Sequence, residues 1–242
     1  MTTLFISDLH LTPDRPDITD CFLRFMQNEA IHADALYVLG DLFETWFGDD
    51  DNSPFNQQIK AAFKTLTSSG VACYFIEGNR DFLVGKRFGD ETGVTILPEI
   101  CTIDLYGTKT LIMHGDTLCT LDEGYQKYRA TVHKPWVQWL FLHLPLKWRH
   151  KVVGNIKSSS KDQKEQKQMT IMDVTPEEVV KVLEQYETNL IIHGHTHRPA
   201  LHSVQLKEKV AQRIVLGDWY EQGSVLVCTK ESKSLESRNF MI

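Results

Sequence analysis

The most restrictive feature of the chain is a repeated pairing of a short apolar run with a polar block. Five such runs, rich in β-branched and other large apolar residues, lie at residues 4–6, 36–39, 73–76, 111–113 and 190–192. Runs of this length predict buried strands. Each is followed by a loop that contains Gly or Asp, so the polar blocks are expected at strand ends, where a sheet can hold their side chains rigidly.

The segments between the first three runs have helical spacing. The first carries Phe22, Phe25 and Met26, and the second carries Ile59 and Phe63 among other apolar residues. This alternation predicts βα units. Residues 200–237 instead predict short strands, including 213–216 and 225–228, separated by Gly and polar turns. We therefore predict an α/β fold with β-sheets packed on each other and helices outside.

Residues 122–187 interrupt the alternation and predict an inserted helical cap. Aromatic and apolar residues recur there at helical spacing, and Pro176 with the acids after it indicates a helix start. The predicted core is therefore 1–121 and 188–242. Residues 126–168 carry ten Lys/Arg and only two acids, whereas the rest of the chain has a net charge of −14.

The polar blocks supply seven candidate metal ligands. These are Asp8, His10, Asp41, Asn79, His114, His195 and His197. Carboxylate, carboxamide and imidazole donors without thiolate favour Mn²⁺, Fe²⁺ or Zn²⁺ over Ca²⁺. Two such ions about 3.5–4 Å apart suit in-line phosphoryl displacement. Side chains near these blocks are candidates for orienting the ligands, namely Glu44, Asp81, Asp116 and His193.

Composition excludes several other classes. The chain has no uncharged apolar run of about 18 residues, so no transmembrane helix is predicted. Its N-terminus has none of the regions of a signal peptide, and a cytoplasmic location is expected. Five cysteines without C-x-x-C spacing predict reduced and mostly buried thiols.

The blocks, in their order, resemble the calcineurin-like metallophosphoesterase superfamily. The resemblance implies two packed β-sheets flanked by helices. It also implies one ion on Asp8, His10 and His197, and a second ion on Asn79, His114 and His195. Asp41 would bridge the two ions.

The block Gly78-Asn79-Arg80-Asp81 departs from the wider superfamily, which commonly has His where Arg80 stands. Arginine remains charged, so it binds phosphate oxygens but cannot act as an acid. A phosphate leaving group departs as an anion at neutral pH, because its second pKa is about 6. The departure therefore favours pyrophosphate cleavage over phosphomonoester cleavage. The alternative is that Arg80 only orients its neighbours.

Within the superfamily, the chain resembles the UDP-2,3-diacylglucosamine pyrophosphatases of Gram-negative lipid A synthesis. The stretches that carry this resemblance are 37–44, 73–83, 111–120, 132–136, 171–174 and 193–200. It implies two Mn²⁺ per chain and attack of water on the α-phosphorus, giving UMP and 2,3-diacylglucosamine 1-phosphate (lipid X). It further implies peripheral association with the cytoplasmic face of the inner membrane. The implied catalytic residues are Asp41, Asn79, Arg80 and His195, and the implied substrate contacts are Asn79, Arg80, Asp122, Ser160, Lys164, Lys167 and His195.

The chemistry of the cap agrees with such a substrate. Its basic residues can meet phosphates, and its apolar residues could line an acyl channel or touch a bilayer surface. The alternative is that they form the buried face of packed helices. They are Trp136, Trp139, Phe141, Leu142, Leu144, Leu146, Trp148, Val152 and Val153.

Two other functions remain open. A different phosphohydrolase of the same superfamily, including a nuclease, would use the same ions, but a nuclease favours an open basic groove and the basic segment here is short. We therefore expect no nucleic-acid partner. A non-catalytic scaffold with the same fold would need none of the seven ligand types, so their retention argues for an enzyme.

Overall fold

The computed structural model of the chain describes residues 1–164, 173–207 and 209–240. Seven α-helices lie in the described residues: α1 (Pro16–Asn28), α2 (Pro54–Ser68), α3 (Lys86–Thr92), α4 (Glu123–Val132), α5 (Pro135–Leu142), α6 (Leu146–Lys164) and α7 (Pro176–Gln185). The described strands are β1 (Thr3–Ile6), β2 (Ala35–Leu39), β3 (Ala72–Ile76), β4 (Thr95–Ile96), β5 (Ile100–Leu105), β6 (Thr108–Met113), β7 (Leu190–His193), β8 (Ala200–Gln205), β9 (Val210–Val215), β10 (Gly223–Cys228) and β11 (Lys233–Arg238).

The strands form two sheets. One has the order β11-β10-β1-β2-β3-β4, and the other has the order β5-β6-β7-β9-β8. β1, β2 and β3 are parallel and joined through α1 and α2, as the predicted βα units require. The five predicted strand runs lie in β1, β2, β3, β6 and β7, so the α/β prediction is confirmed.

The hydrophobic core has three parts, set by the alternation of side chains along the strands. Between the sheets, one cluster joins residues of both, including Phe5, Ile76, Ile112 and Ile192. A second cluster packs α1, α2 and α3 against the outer face of the six-stranded sheet. The molecule is therefore layered as helices, sheet, sheet and helix, which fixes the strand ends of both sheets relative to each other.

The third cluster packs α7 against the five-stranded sheet. This cluster includes Val179, Val182 and Leu183 of the helix, together with Leu111 and Ile191 of the sheet. The strand residues next to Leu111 and Ile191 face the other sheet. α7 therefore packs as part of the core, although its residues fall within the predicted cap of 122–187. We propose that the inserted segment ends before α7.

The cap helices differ from the core helices in burial. In α4 and α5 no residue is buried. In α6, Arg149 is buried and holds the cap to the core loop through two 2.6 Å contacts to the Asp50 carboxylate and a 2.7 Å bond to the Phe47 carbonyl. The ring of Phe47 also stacks on His150 at 3.8 Å.

Two further sequence predictions concern cysteines and membrane crossing. All five cysteines are free, and every one except Cys101 is buried, as predicted. Within the ranges that the structure describes, no helix has the length and apolar character needed to cross a membrane.

Candidate functional site

The seven candidate ligands lie together, on loops that follow the carboxyl ends of strands. Five of them adopt left-handed backbone conformations, with φ between 50° and 70°: Asp8, His10, Asp41, His195 and His197. Only two other non-glycine residues in the described chain do so. Such conformations are costly for residues with a Cβ and persist where the surrounding structure holds them, which is typical of functional sites.

Asp8, His10 and His197 form the first group, which we call the first ion site. Asp8 Oδ1 lies 3.3 Å from His197 Nε2, and His10 Nε2 lies 3.4 Å from the same nitrogen. One donor atom from each of the three residues lies within 4.8 Å of the other two, so the group could hold a metal ion. They follow β1 and β7, which lie in different sheets, so sheet packing is what joins them.

Asn79, His114 and His195 form the second group of candidate ligands, which we call the second ion site. His114 Nε2 lies 3.1 Å from Asn79 Oδ1 and 3.2 Å from His195 Nδ1. His114 Nδ1 meets the carbonyl of Leu39 at 2.9 Å, a contact that directs Nε2 into the site.

Asp41 lies between the two groups. Its Oδ2 is 3.9 Å from His10 Nε2, and its Oδ1 is 3.8 Å from His114 Nε2. A carboxylate in this position faces both groups at once. Asp8 is also close to both, because its oxygens lie within reach of His10 and His197 on one side and of Asp41 and His114 on the other.

These distances are compatible with coordination of a shared cation. Ligand atoms about 2.1 Å from one ion, at right angles around it, lie about 3 Å from each other. Fully buried Asp8 Oδ1 has no hydrogen-bond partner among the described residues, although it faces two imidazoles. An unsatisfied buried carboxylate oxygen is costly, and a cation is the partner that its charge requires.

The pKa values of Asp8, His114 and His197 are also consistent with positive charge in the site. Burial would raise the pKa of Asp8, but contact with His197 and the charges of nearby imidazoles hold it well below its usual range. Burial disfavours charged His114, yet Asp41 and Asp8 raise its pKa to about 9. His197 is likewise raised to a pKa of about 10 by Asp218 and Asp8, against the effect of burial. The carboxylates of the site therefore stabilise positive charge beside them, which protons on the imidazoles or metal ions can provide.

Asp81 fixes the loops that carry Asp41 and Asn79. Its buried carboxylate accepts hydrogen bonds from the backbone of Gly78 at 2.9 Å, Leu42 at 2.7 Å and Asp41 at 3.2 Å. Burial and the charge of Asp41 raise its pKa to about 7. Gly78 lies so close to Asp41 that an added Cβ would stand 2.3 Å from Oδ1. Asp81 therefore orients Asp41 through the backbone.

The other predicted orienting residues make different contacts. Glu44 lies 3.4 Å from His10 Nδ1, and His193 Nδ1 meets the carbonyl of Gly194 at 2.9 Å. Asp116 instead accepts from Tyr125 at 2.5 Å and from Arg129 Nε at 2.7 Å, both in α4. Asp116 thus connects the core to the cap.

Sequence reasoning missed Asp218 and Tyr220. Asp218 Oδ2 lies 3.0 Å from His197 Nδ1, and the ring of Tyr220 stacks on His10 at 5.3 Å with planes 2° apart. The available signal is that Gly217-Asp218 follows β9, as the ligand blocks follow their strands. This dipeptide begins 20 residues after His197, the end of the last ligand block, and contains no histidine, so the sequence pattern does not group it with those blocks.

The predicted substrate residues have different positions. Arg80 lies beside the site, with Nη1 3.3 Å from Glu44, while its backbone N–H donates to Asp41 Oδ1 at 2.8 Å. Asp122 caps α4 by accepting from the backbone N–H of Tyr125 at 2.9 Å. The side chains of Ser160 and Lys164, and the whole of Lys167, lie outside the described residues, so their predicted contacts stay predictions.

The cap presents a large apolar surface. Its most exposed members are Trp136 (65%), Trp139 (61%), Trp148 (60%) and Leu140 (53%). The alternative interpretation, that these residues form the buried face of packed helices, is wrong for the three tryptophans. Several large apolar side chains exposed in one segment are typical of a binding surface.

Comparison with known proteins adds an independent finding. The sequence profile described as Calcineurin-like phosphoesterase matches residues 1–199. A protein named UDP-2,3-diacylglucosamine hydrolase from Photobacterium profundum is 62% identical over 240 residues, which cover 99% of this chain and 98% of that protein. Proteins of the same name come from Vibrio vulnificus (strain YJ016), at 57% identity over 99% of both chains, and from Vibrio cholerae serotype O1 (El Tor Inaba), at 58% over 96% of both. The chain belongs to the calcineurin-like phosphoesterase family.

Proposed function

We propose that this protein hydrolyses the pyrophosphate bond of UDP-2,3-diacylglucosamine. Water attacks the α-phosphorus, and the products are UMP and 2,3-diacylglucosamine 1-phosphate, an intermediate of lipid A synthesis. The observation that carries the proposal is the proximity of the seven candidate ligands to one another, beside a cap with exposed tryptophans. The names and nearly full-length identity of the relatives support the same substrate.

The metal in this proposal is Mn²⁺, with two ions per chain. Asp8, His10 and His197 would hold one ion, Asn79, His114 and His195 would hold the other, and Asp41 would be a ligand of both. Nitrogen and oxygen donors without thiolate suit manganese. When bound, such a pair of ions lowers the pKa of water and withdraws charge from phosphoryl oxygens.

The protein's own residues orient the substrate and stabilise charge. Arg80 is 24% exposed on its side chain and carries a permanent charge, so its fork of donors can bind phosphate oxygens during the reaction. Its ion pair with Glu44 holds the guanidinium beside the site. Asn79 and His195 are the other proposed catalytic residues, and both lie beside His114 in the second ion site. No acid is needed to protonate the leaving group, because 2,3-diacylglucosamine 1-phosphate departs as a stable anion and UMP is likewise a stable anion.

The cap supplies specificity in this proposal. Its tryptophans and leucines bind the two acyl chains, and its basic residues bind phosphates and polar rings. Asp122, Ser160, Lys164 and Lys167 are the proposed substrate contacts of the cap. The same exposed surface is the basis for proposing peripheral association with the cytoplasmic face of the inner membrane.

The test is UMP release by purified protein that has been stripped of metal and then supplied with Mn²⁺. UDP-2,3-diacylglucosamine is compared with UDP-N-acetylglucosamine, which lacks the acyl chains. We expect release only from the acylated substrate and only with metal. Absence of release from it, together with cleavage of a generic phosphodiester, would retain the two-ion site and refute the lipid substrate.

A further inference from the structure

The loop after β9 contacts both histidines of the first ion site. Asp218 Oδ2 lies 3.0 Å from Nδ1 of His197, on the side of the ring that faces away from the other ligands. Tyr220 stacks on His10 with planes 2° apart and also contacts the His197 ring at 5.6 Å between centroids. Among the described residues, no hydrogen bond, ion pair or ring contact joins this loop to Asn79, His114 or His195. Its influence is therefore directed at one ion.

The loop is itself held firmly. Between the two contact residues lies Trp219, which is fully buried and packs edge-on against Phe22 and Phe25. Its backbone N–H donates to the carbonyl of Asp8 at 3.2 Å, and its indole N–H donates to the carbonyl of Ser224 at 3.1 Å. With Trp219 anchored in the core, its two neighbours are directed back toward the histidines.

The Asp218 carboxylate joins the two contacts. Its second oxygen accepts from the backbone N–H of Tyr220 at 3.3 Å, while Arg15 donates to the Tyr220 carbonyl at 2.8 Å. A carboxylate on the outer nitrogen of an imidazole fixes the tautomer and ring orientation and raises the affinity of the inner nitrogen for metal. The Asp218 side chain thus orients His197 directly and orients His10 through Tyr220.

We infer that Asp218 and Tyr220 are positioning residues that set the metal affinity of the first ion site and leave that of the second unchanged. This inference rests on the two-ion site of the proposed function. The inference gives the two ions different supports, because the second site is oriented by the Leu39 carbonyl, which contacts His114, and by Asp81, which accepts from Gly78 in the loop that carries Asn79.

The experiment is calorimetric titration of metal-stripped full-length protein with Mn²⁺. Wild type should bind two ions. Asp218→Asn should weaken one of them about 10- to 100-fold, and Tyr220→Leu should weaken the same ion by less. Glu221→Gln, which removes an exposed charge from the same loop, is the matched control and should match wild type. A Tm of metal-free Asp218→Asn equal to that of wild type would show that folding is intact.

Two backgrounds identify which ion is affected. In His114→Ala, which removes a ligand of the second site, adding Asp218→Asn should weaken the remaining ion. In His10→Ala, the same addition should leave the remaining ion unchanged. Equal weakening of both ions, or no weakening of either, would overturn the inference. Failure of wild type to bind Mn²⁺ at all would overturn the proposed two-ion site as well, so the two failures are distinguishable.

Discussion

The ligand loops and the cap are built in opposite ways. In the loops, Asp8, Asp41 and His114 are buried, and the backbone is held in left-handed conformations by hydrogen bonds between neighbouring loops. In the cap, neither α4 nor α5 buries a residue, and three tryptophans are more than half exposed.

Rigidity and apolar exposure therefore serve separate tasks in this molecule. Two packed sheets determine the loop positions strongly enough to hold strained residues, and strain of this kind orients ligands before any ion binds. The cap keeps apolar area in water, which is unfavourable unless a ligand or membrane covers it. Changes in the loops should therefore alter the rate, and changes in the cap should alter substrate preference.

Asp41→Ala should have the largest effect. Removal of the carboxylate that faces both groups should lower turnover on the order of 1,000-fold or more, because both ions lose a ligand. The measurement is kcat with saturating Mn²⁺. Asp90→Asn, an exposed surface acid, is the control and should keep wild-type turnover. Substantial activity of Asp41→Ala under metal saturation would contradict the bridging role.

Arg80→Ala should come next, with a loss of about 100- to 1,000-fold in kcat and both ions retained. Arg80→Lys should recover only part of the rate, because an ammonium cannot provide the guanidinium's two-point contact. Kinetics and Mn²⁺ stoichiometry are measured on the same preparations. If Arg80→Ala lost metal while it bound substrate normally, the charge-stabilising role would be wrong and the orienting alternative would be favoured.

Arg149→Ala tests the connection between the two regions. The buried guanidinium meets Asp50, the Phe47 carbonyl and the Leu144 carbonyl, and its loss should lower the free energy of unfolding by about 2 kcal/mol, since Asp50 is half exposed and screened by water. Denaturant titration provides the value, and Lys151→Ala is the control on the same helix. An unchanged midpoint would show that the cap is held by other contacts.

Trp139→Ser should have the smallest and most selective effect. The indole is exposed, so stability should stay unchanged, whereas KM for the acylated substrate should rise about 10-fold through lost apolar contact. Mn²⁺ affinity should not change. An unchanged KM would indicate that this tryptophan has no role in acyl binding, and a marked loss of stability would indicate that its indole packs within the cap.

The fold and the ligand set could be predicted because their signals are local. Each strand run precedes its polar block directly, so the ends of β1, β2, β3, β6 and β7 follow from the sequence. The left-handed backbone of Asp8 or His197 could not be predicted, because Asp and His only rarely adopt it and the cause is contact with distant loops.

The other features that the sequence did not predict also depend on contacts between distant parts of the chain. α7 carries a helix signal that does not specify its partner, and only the alternation of β6 and β7 shows that it packs on the sheet. Asp218 approaches His197 because β9 lies beside β7, a strand pairing that sequence does not specify. The exposure of Trp139 also depends on tertiary packing, since helical spacing alone fits a buried face or a binding surface equally well.

The most direct measurement is an anomalous difference map from a crystal of the protein grown with Mn²⁺. We expect two peaks about 3.5–4 Å apart on either side of the Asp41 carboxylate. One peak should be bounded by Asp8, His10 and His197, and the other by Asn79, His114 and His195. A single peak, or no peak near Asp41, would contradict the two-ion site.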